Sequence, residues 1–170
     1  MRVHGKLWVR VFIFALFGIG LATVSAVAQG NLPESGTITG AGPTAWDDCD
    51  LLIKSVSGPA TGKTGDFIRV AVKVKNDGIG IPDDFRVGIY LSEDKRIDPE
   101  SDRLIGGIVY KSLIPYQTSE SILILMVPES TPAGNYFLGA MADYTQKVGE
   151  DSESNNTRAS GASIRITVGQ

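Results

Sequence analysis

The feature that most constrains the fold of this sequence is a strict alternation of apolar and polar residues in short segments. Between Phe67 and Lys75, the residues Ile68, Val70, Val72 and Val74 alternate with Arg69, Lys73 and Lys75. Successive side chains of a β-strand point to opposite faces, so this period of two predicts a strand with one buried face. The segment 85–91 repeats the pattern, with Phe85, Val87, Ile89 and Leu91 predicted inward and Arg86, Gly88 and Tyr90 outward.

Five further segments have the composition of strands, namely 51–56, 104–113, 122–127, 136–142 and 164–168. Turn-forming residues separate them, and no stretch shows the spacing of an amphipathic helix. About seven strands at short intervals predict an all-β fold, an immunoglobulin-like antiparallel β-sandwich. Tyr136 supports this class, because it stands near the start of the sixth strand, where such folds place a tyrosine corner.

The N-terminus predicts export. Three cationic residues precede an uncharged, strongly apolar run that ends in Ala26-Val27-Ala28, which is the order of a secretory signal peptide over 1–28. The alternative is an uncleaved anchor, because the run approaches the length that spans a bilayer. We expect cleavage, a periplasmic or extracellular location and no stable membrane anchor afterwards. A flexible leader over 29–48, rich in Gly, Pro, Ser and Thr, would then precede one domain over 49–170.

The position of the only histidine and the net charge of the chain exclude several classes of function. The only histidine is His4, within the predicted signal peptide, so the mature chain offers no histidine for a catalytic triad or a zinc site. Removing the three cations of that segment changes the formal net charge from −3 to −6. An acidic surface disfavours nucleic acid and anionic lipid as partners. We therefore expect no enzyme and no nucleic-acid binding.

Cys49 is the only cysteine of the chain. One cysteine cannot form an internal disulfide, so the domain must be stabilised by its core. Two interpretations stay open, a structural thiol at the start of the domain and a covalent dimer through Cys49.

A series of short motifs runs through the chain in a characteristic order. They are Asp50-Leu51, Ser57-Gly58-Pro59, 72–76, 85–88, 90–92, 104–106, 132–136, Asp143 and Glu153-Ser154-Asn155-Asn156. With this order and spacing, the stretch from Asp50 to Asn156 resembles a CARDB domain, the cell adhesion related domain found in bacteria. The resemblance implies an immunoglobulin-like sandwich on an exported or surface protein, with a role in adhesion.

Two acidic loops are candidate binding sites. Asp94, Asp98 and Asp102 lie between the third and fourth strands, and carboxylates in a loop can ligate Ca²⁺. Their alternative role is a solvated loop whose charges pair with nearby Lys and Arg. Calcium is the only cofactor that the sequence suggests.

The second loop lies between the last two strands. It contains Asp143, Glu150, Asp151, Glu153, Asn155 and Asn156, of which Asp143, Glu153, Asn155 and Asn156 are the candidate ligand-binding residues. It could bind a cation or another ligand at one end of the sandwich. It could equally be a structural turn, because Asn and Asp side chains bond to their own backbone.

Residues 122–127 are apolar at every position. We interpret them as a central strand buried on both faces, because outward Leu or Met would be an aggregation hazard. The alternative is an exposed apolar stripe used for dimerisation or for adding a partner strand.

The sequence thus predicts a non-catalytic, exported binding or adhesion module that recognises protein or polysaccharide. The alternative is a structural or assembly subunit that self-associates through sheet edges.

Overall fold

The computed structural model describes residues 48–169. The predicted signal peptide and residues 29–47 of the predicted leader lie outside this range. The strands are β1 (Leu51–Ser57), β2 (Thr61–Lys63), β3 (Phe67–Asn76), β4 (Phe85–Ser92), β5 (Arg103–Tyr110), β6 (Thr118–Met126), β7 (Gly134–Met141) and β8 (Thr157–Thr167). A 3-10 turn over Glu153–Asn155 precedes β8. Among the described residues, no helix is long and apolar enough to cross a bilayer.

The strands form two facing sheets. One has three strands in the order β1-β3-β6, and the other has five in the order β2-β8-β7-β4-β5. All pairings between these strands are antiparallel except β2 with β8. The prediction of an all-β, immunoglobulin-like sandwich is confirmed. The additional strand is β2, which the sequence conceals because a Thr-Gly-Lys segment has no apolar alternation.

The core fills the space between the sheets. The alternating residues Ile68, Val70, Val72 and Val74 of β3 are buried, as are Phe85, Val87, Ile89 and Leu91 of β4. The Phe85 ring stacks on Tyr110 of β5 at a centroid distance of 5.2 Å. The inward faces predicted from the alternation are therefore correct.

Tyr90 of β4 lies outside the core cluster between the sheets, as its predicted outward position implies, yet both Tyr90 and Gly88 are buried rather than exposed. Tyr90 is only 1% exposed, because the loops beyond β4 and β7 fold over this part of the sheet. A Cβ atom on Gly88 would lie 3.0 Å from the Tyr144 ring, and Ile97 packs against Gly139. Burial of the Tyr90 hydroxyl, together with the nearby Tyr144 and Asp102, raises its pKa above the ordinary value.

The tyrosine corner is present. The Tyr136 hydroxyl donates a hydrogen bond to the Pro132 carbonyl oxygen at 3.0 Å. This bond joins the start of β7 to the turn that precedes it, as the immunoglobulin-like class requires.

The interpretation of residues 122–127 as a strand buried on both faces is wrong. β6 is the edge strand of the three-stranded sheet. Its alternate residues Ile122, Ile124 and Met126 are 51%, 62% and 47% exposed, whereas Leu123 and Leu125 pack against the core. The segment lies at one edge of a sheet whose outer face is not covered by any other part of residues 48–169, so apolar composition alone did not indicate burial.

The edges of the two sheets meet where β5 faces β6. Gly106 has a φ of 149°, and a Cβ atom there would lie 2.7 Å from Leu125 Cδ2. A register shift in the β4–β5 pairing leaves Ile105 as an extra residue beside this glycine. Nearby, the Tyr110 hydroxyl and Ser121 Oγ are hydrogen-bonded at 2.8 Å. The sandwich is thereby closed on this side.

Candidate functional site

The predicted loop between the last two strands folds against the start of β1 and forms an oxygen-rich cluster. We call this cluster the acidic corner; it consists of Asp50, Asp143, Glu150, Glu153, Asn155 and Asn156. A bridge between Cys49 and Glu150 brings the loop beside β1. The structure therefore brings together Asp143, Glu150, Glu153, Asn155 and Asn156, which the sequence placed in this loop, and adds Asp50.

Asn156 occupies the centre of the acidic corner and is 1% exposed. Its Nδ2 donates hydrogen bonds to Glu150 Oε1 at 2.9 Å and to Glu153 Oε2 at 3.0 Å. The amide thus holds two carboxylates close together, and its own Oδ1 has no hydrogen-bond partner among the described residues.

Glu150 is the carboxyl group whose titration the fold changes most clearly. Its pKa is raised from 4.5 to about 7, chiefly by burial and also by the nearby negative charges of Glu153 and Asp143. Hydrogen bonds from the Leu51 backbone N–H and from Asn156 oppose this rise. Glu150 therefore exchanges its proton near neutral pH.

Asp143 and Asn155 organise the chain around the acidic corner. Asp143 has a φ of 38°, and its Oδ2 accepts a hydrogen bond from the Val148 backbone N–H at 2.7 Å. Asn155 Nδ2 donates to Asp50 Oδ1 at 2.8 Å, which attaches the loop to the residue before β1. The Asp143 bond to nearby backbone matches the turn-forming role that the sequence offered as one interpretation, whereas the Asn155 bond joins two side chains from distant parts of the chain.

In the other predicted loop, which contains Asp94, Asp98 and Asp102, the carboxylates accept hydrogen bonds from the backbone of the loop itself. Asp94 Oδ1 accepts from the Arg96 N–H at 2.6 Å, and Asp102 Oδ2 accepts from the Asp98 N–H at 2.8 Å. Across residues 48–169, no three or more His, Cys, Asp or Glu side chains are grouped so that they could hold a metal ion. Calcium binding at either loop stays a prediction.

An exposed apolar cluster lies on the outer side of the three-stranded sheet. We call it the apolar face; it consists of Phe67 on β3 and Ile122, Ile124 and Met126 on β6. Phe67 is 68% exposed and pairs in register with Met126. The alternation of β3 predicts that Phe67 points outward. That Ile122, Ile124 and Met126 lie beside it on the same face follows only from the pairing of β3 with β6 in the structure.

Charged residues continue the apolar face along the same two strands. Lys73 of β3 lies 3.2 Å from Glu120 of β6 in an ion pair, and the two are register partners. Arg69 is exposed and pairs in register with Ile124. The outer side of this sheet is thus apolar at one end and charged at the other.

Cys49 is fully buried. A covalent dimer through this residue would require the start of the domain to open, because a thiol reacts only when it is accessible. The dimer stays a prediction that a non-reducing gel can check.

The CARDB family profile matches residues 48–160. Among solved structures, the CARDB domain of the PF1109 protein from Pyrococcus furiosus, in complex with di-metal ions, aligns with a TM-score of 0.52 and 22% identity, covering 75% of this chain and all of that one. A domain from a protein of Methanosarcina acetivorans whose name assigns it to the cell surface aligns with a TM-score of 0.51 and 20% identity, covering 71% and 93%. No curated protein shows significant sequence similarity.

Proposed function

This chain belongs to the CARDB family, and from that premise we propose that it is an exported, non-catalytic binding module that recognises a protein partner through its apolar face. CARDB is a cell-surface-associated, adhesion-related domain family of bacteria and archaea, and it is non-catalytic. The proposal adds to this a location outside the cytoplasm and a defined surface for the partner.

The observation that carries the proposal is the exposure of four large apolar side chains on two neighbouring strands. Single exposed apolar residues are ordinary on soluble proteins, whereas a contiguous patch marks an interaction site. Phe67, Ile122, Ile124 and Met126 are each between 47% and 68% exposed. Covering them would remove apolar area from water, which is the main driving force of protein association.

Charges beside the patch would orient the partner. Arg69 lies next to Ile124 in register, and among the described residues it forms no ion pair. An acidic group on the partner opposite Arg69 would form a charge-assisted hydrogen bond at the rim of the interface. The complementary surface is therefore apolar with an acidic border.

The test is affinity capture. The full chain, carrying a C-terminal affinity tag and purified in the form that its cells produce, is incubated with an extracytoplasmic extract, and captured proteins are identified by mass spectrometry. The double variant Ile122→Thr/Ile124→Thr keeps β-branched side chains but removes much of the apolar area. We expect it to lose most of the captured partner.

The matched control is Ile79→Thr/Ile114→Thr, because these two isoleucines are 62% and 55% exposed but lie in loops. It should capture the partner as the wild type does. Equal capture by wild type and the β6 double variant, with circular dichroism showing both folded, would contradict the proposal.

A second candidate function is self-assembly through the edge of β6. We propose it because β6 ends its sheet and, among the described strands, pairs only with β3, beside exposed apolar side chains. Sedimentation velocity over a range of concentrations separates the candidates. Concentration-dependent dimers that Ile124→Lys abolishes would support assembly, and a monomer throughout would leave the partner-binding function alone.

Calcium binding at the acidic corner is proposed as a property of the same module. Its support is the set of carboxylate and amide oxygens around Asn156, whose Oδ1 is buried and unpartnered among the described residues. Titration calorimetry with Ca²⁺ on wild type, Asn156→Ala and Asp98→Ala tests both loops. Heat that only Asn156→Ala abolishes would assign the ion to the acidic corner, and no heat or thermal shift at millimolar Ca²⁺ would refute it.

A further inference from the structure

An open cleft lies between β2 and β3, where the two sheets separate. β1 pairs with β3 only as far as Ala71, so the first residues of β3 extend beyond the end of β1. On the other sheet, β2 runs parallel to β8 in the register Thr61 to Arg165. The space between them has a volume of about 570 Å³. We call it the β2–β3 cleft.

The β2–β3 cleft is lined by cations, although the whole chain has a formal net charge of −3. Lys63, Arg69 and Arg165 surround it, and Asp66 is its one acidic lining residue. The two ion pairs within residues 48–169 are Lys73–Glu120 and Lys75–Asp77, so none of the three cations is neutralised by such a contact. Their combined field favours an anionic ligand.

Apolar and hydroxyl groups complete the lining of the cleft. The exposed ring of Phe67 stands at its border, and the side chains of Thr61 and Thr167 line it. Gly62 forms the floor of the cleft directly above the core, where a larger residue would be crowded because its Cβ atom would lie 3.1 Å from Ile166 Cδ1. Concave sites that combine apolar contact with a few polar groups are typical of small-ligand recognition.

We propose that the β2–β3 cleft binds a carboxylate-bearing polysaccharide. The guanidinium groups of Arg69 and Arg165 have the geometry to pair with the carboxylates of uronate units. The ring of Phe67 supplies an apolar surface for the C–H face of a sugar. The threonine hydroxyls can exchange hydrogen bonds with the sugar hydroxyls.

The shape of the site favours a glycan over an acidic peptide. An extended peptide binds a sheet by adding a strand along an unpaired edge. Both strands that border the cleft offer short edges for that mode, because β2 has only three residues and β3 extends beyond the end of β1 only over residues 67–70. The inference rests on the proposed function in treating the protein as an exported binding module. The cleft shares Phe67 and Arg69 with the border of the apolar face, but Ile122 and Ile124 lie outside the cleft, so variants of β6 test the two surfaces separately.

The experiment is titration calorimetry of the full chain, in the form that its cells produce, with trigalacturonate. We expect saturable binding that weakens as NaCl is raised, since exposed charges are screened by salt. Arg69→Gln/Arg165→Gln should weaken binding at least tenfold, and Phe67→Ala should weaken it several-fold. The neutral trisaccharide maltotriose should give no saturable heat.

The control for net charge is Arg86→Gln/Arg103→Gln, which removes the same two charges from exposed positions outside the cleft. It should bind trigalacturonate like the wild type. Equal weakening by both double variants, equal affinity for a glutamate oligopeptide, or equal affinity for maltotriose would overturn the inference. Circular dichroism checks that each variant is folded.

Binding of trigalacturonate and capture of a protein partner can be lost independently, so the polysaccharide site and the proposed function are tested separately. Ile122→Thr/Ile124→Thr should keep trigalacturonate affinity while losing the captured protein. A wild-type chain that captures its protein partner but does not bind trigalacturonate refutes the polysaccharide site and leaves the partner-binding function standing.

Discussion

Asn156 Nδ2 lies 2.9 Å from Glu150 Oε1, and this hydrogen bond joins the residue before β8 to the segment that bridges Cys49. The same nitrogen lies 3.0 Å from Glu153 Oε2. One buried amide therefore offsets the mutual repulsion of two carboxylates. The stability of the acidic corner should depend on that amide and on the protonation of Glu150.

Replacing the amide of Asn156 by a third carboxylate should destabilise the fold. Asn156→Asp removes both donated hydrogen bonds and adds a buried charge, which we expect to lower the free energy of unfolding by about 1–3 kcal/mol. Urea denaturation followed by circular dichroism measures the loss. The control is Ser154→Asp, which adds the same charge at an exposed position of the same turn. An equal loss in both variants would argue against a specific role for Asn156.

The raised pKa of Glu150 predicts a pH dependence of stability. Its pKa is about 7 in the folded chain, against an ordinary value of 4.5, so between these values the folded state retains a proton that the unfolded state has lost. The free energy of unfolding should therefore fall as pH rises from about 4.5 to 7, and this contribution should level off above 7. Allowing for solvent screening, the change is on the order of 1–2 kcal/mol.

Glu150→Gln provides the measurement. We expect the difference in unfolding free energy between wild type and Glu150→Gln to change across that pH window, because the amide does not titrate. Glu93→Gln, at an exposed position, is the control for a general carboxylate effect. Parallel pH profiles for wild type and Glu150→Gln would contradict the assignment.

Gly106 should tolerate substitution poorly. Its φ of 149° is rarely adopted by other residues, and the added methyl group would meet Leu125 Cδ2 at 2.7 Å. We expect Gly106→Ala to lower the free energy of unfolding by roughly 2–3 kcal/mol. Gly161→Ala is the matched control, because nothing lies within 4 Å of its added Cβ. Thermal unfolding of the pair gives the comparison.

Loss of the tyrosine corner should have a smaller effect. Tyr136→Phe removes one hydroxyl and leaves the Pro132 carbonyl oxygen without its 3.0 Å bond. The expected loss is about 1 kcal/mol. Tyr116→Phe, at a ring that is 62% exposed, should be close to neutral. A change below the error of chemical denaturation for Tyr136→Phe would mean that water replaces the bond.

The strands that could be predicted from sequence are those with one buried and one polar face. β3 alternates throughout, so its inward residues were correct. β8 begins at Thr157, well before the apolar alternation near Ile164. The sequence did not reveal this first half of the strand, because it consists mostly of small and polar residues. Backbone pairing with β7 stabilises that half, and such pairing leaves little trace in composition.

The candidate sites were predictable to the extent that their residues are neighbours in sequence. The Glu-x-Asn-Asn segment marked the acidic corner, but its contact with Asp50 joins residues more than a hundred positions apart. The β2–β3 cleft left no sequence signal, since Lys63, Arg69 and Arg165 come from three separate strands. Their proximity follows from the parallel pairing of β2 with β8, which alternation does not predict.

The parallel pairing of β2 with β8 also determines at what point during folding the cleft forms. Lys63 and Arg69 belong to β2 and β3, whereas Arg165 belongs to β8, the last of the described strands. As the chain folds from its N-terminal strands onward, the cleft would be assembled only after β8 had paired with β2. Fragments that end before β8 would therefore lack the complete cleft and should not compete with the whole domain for its ligand.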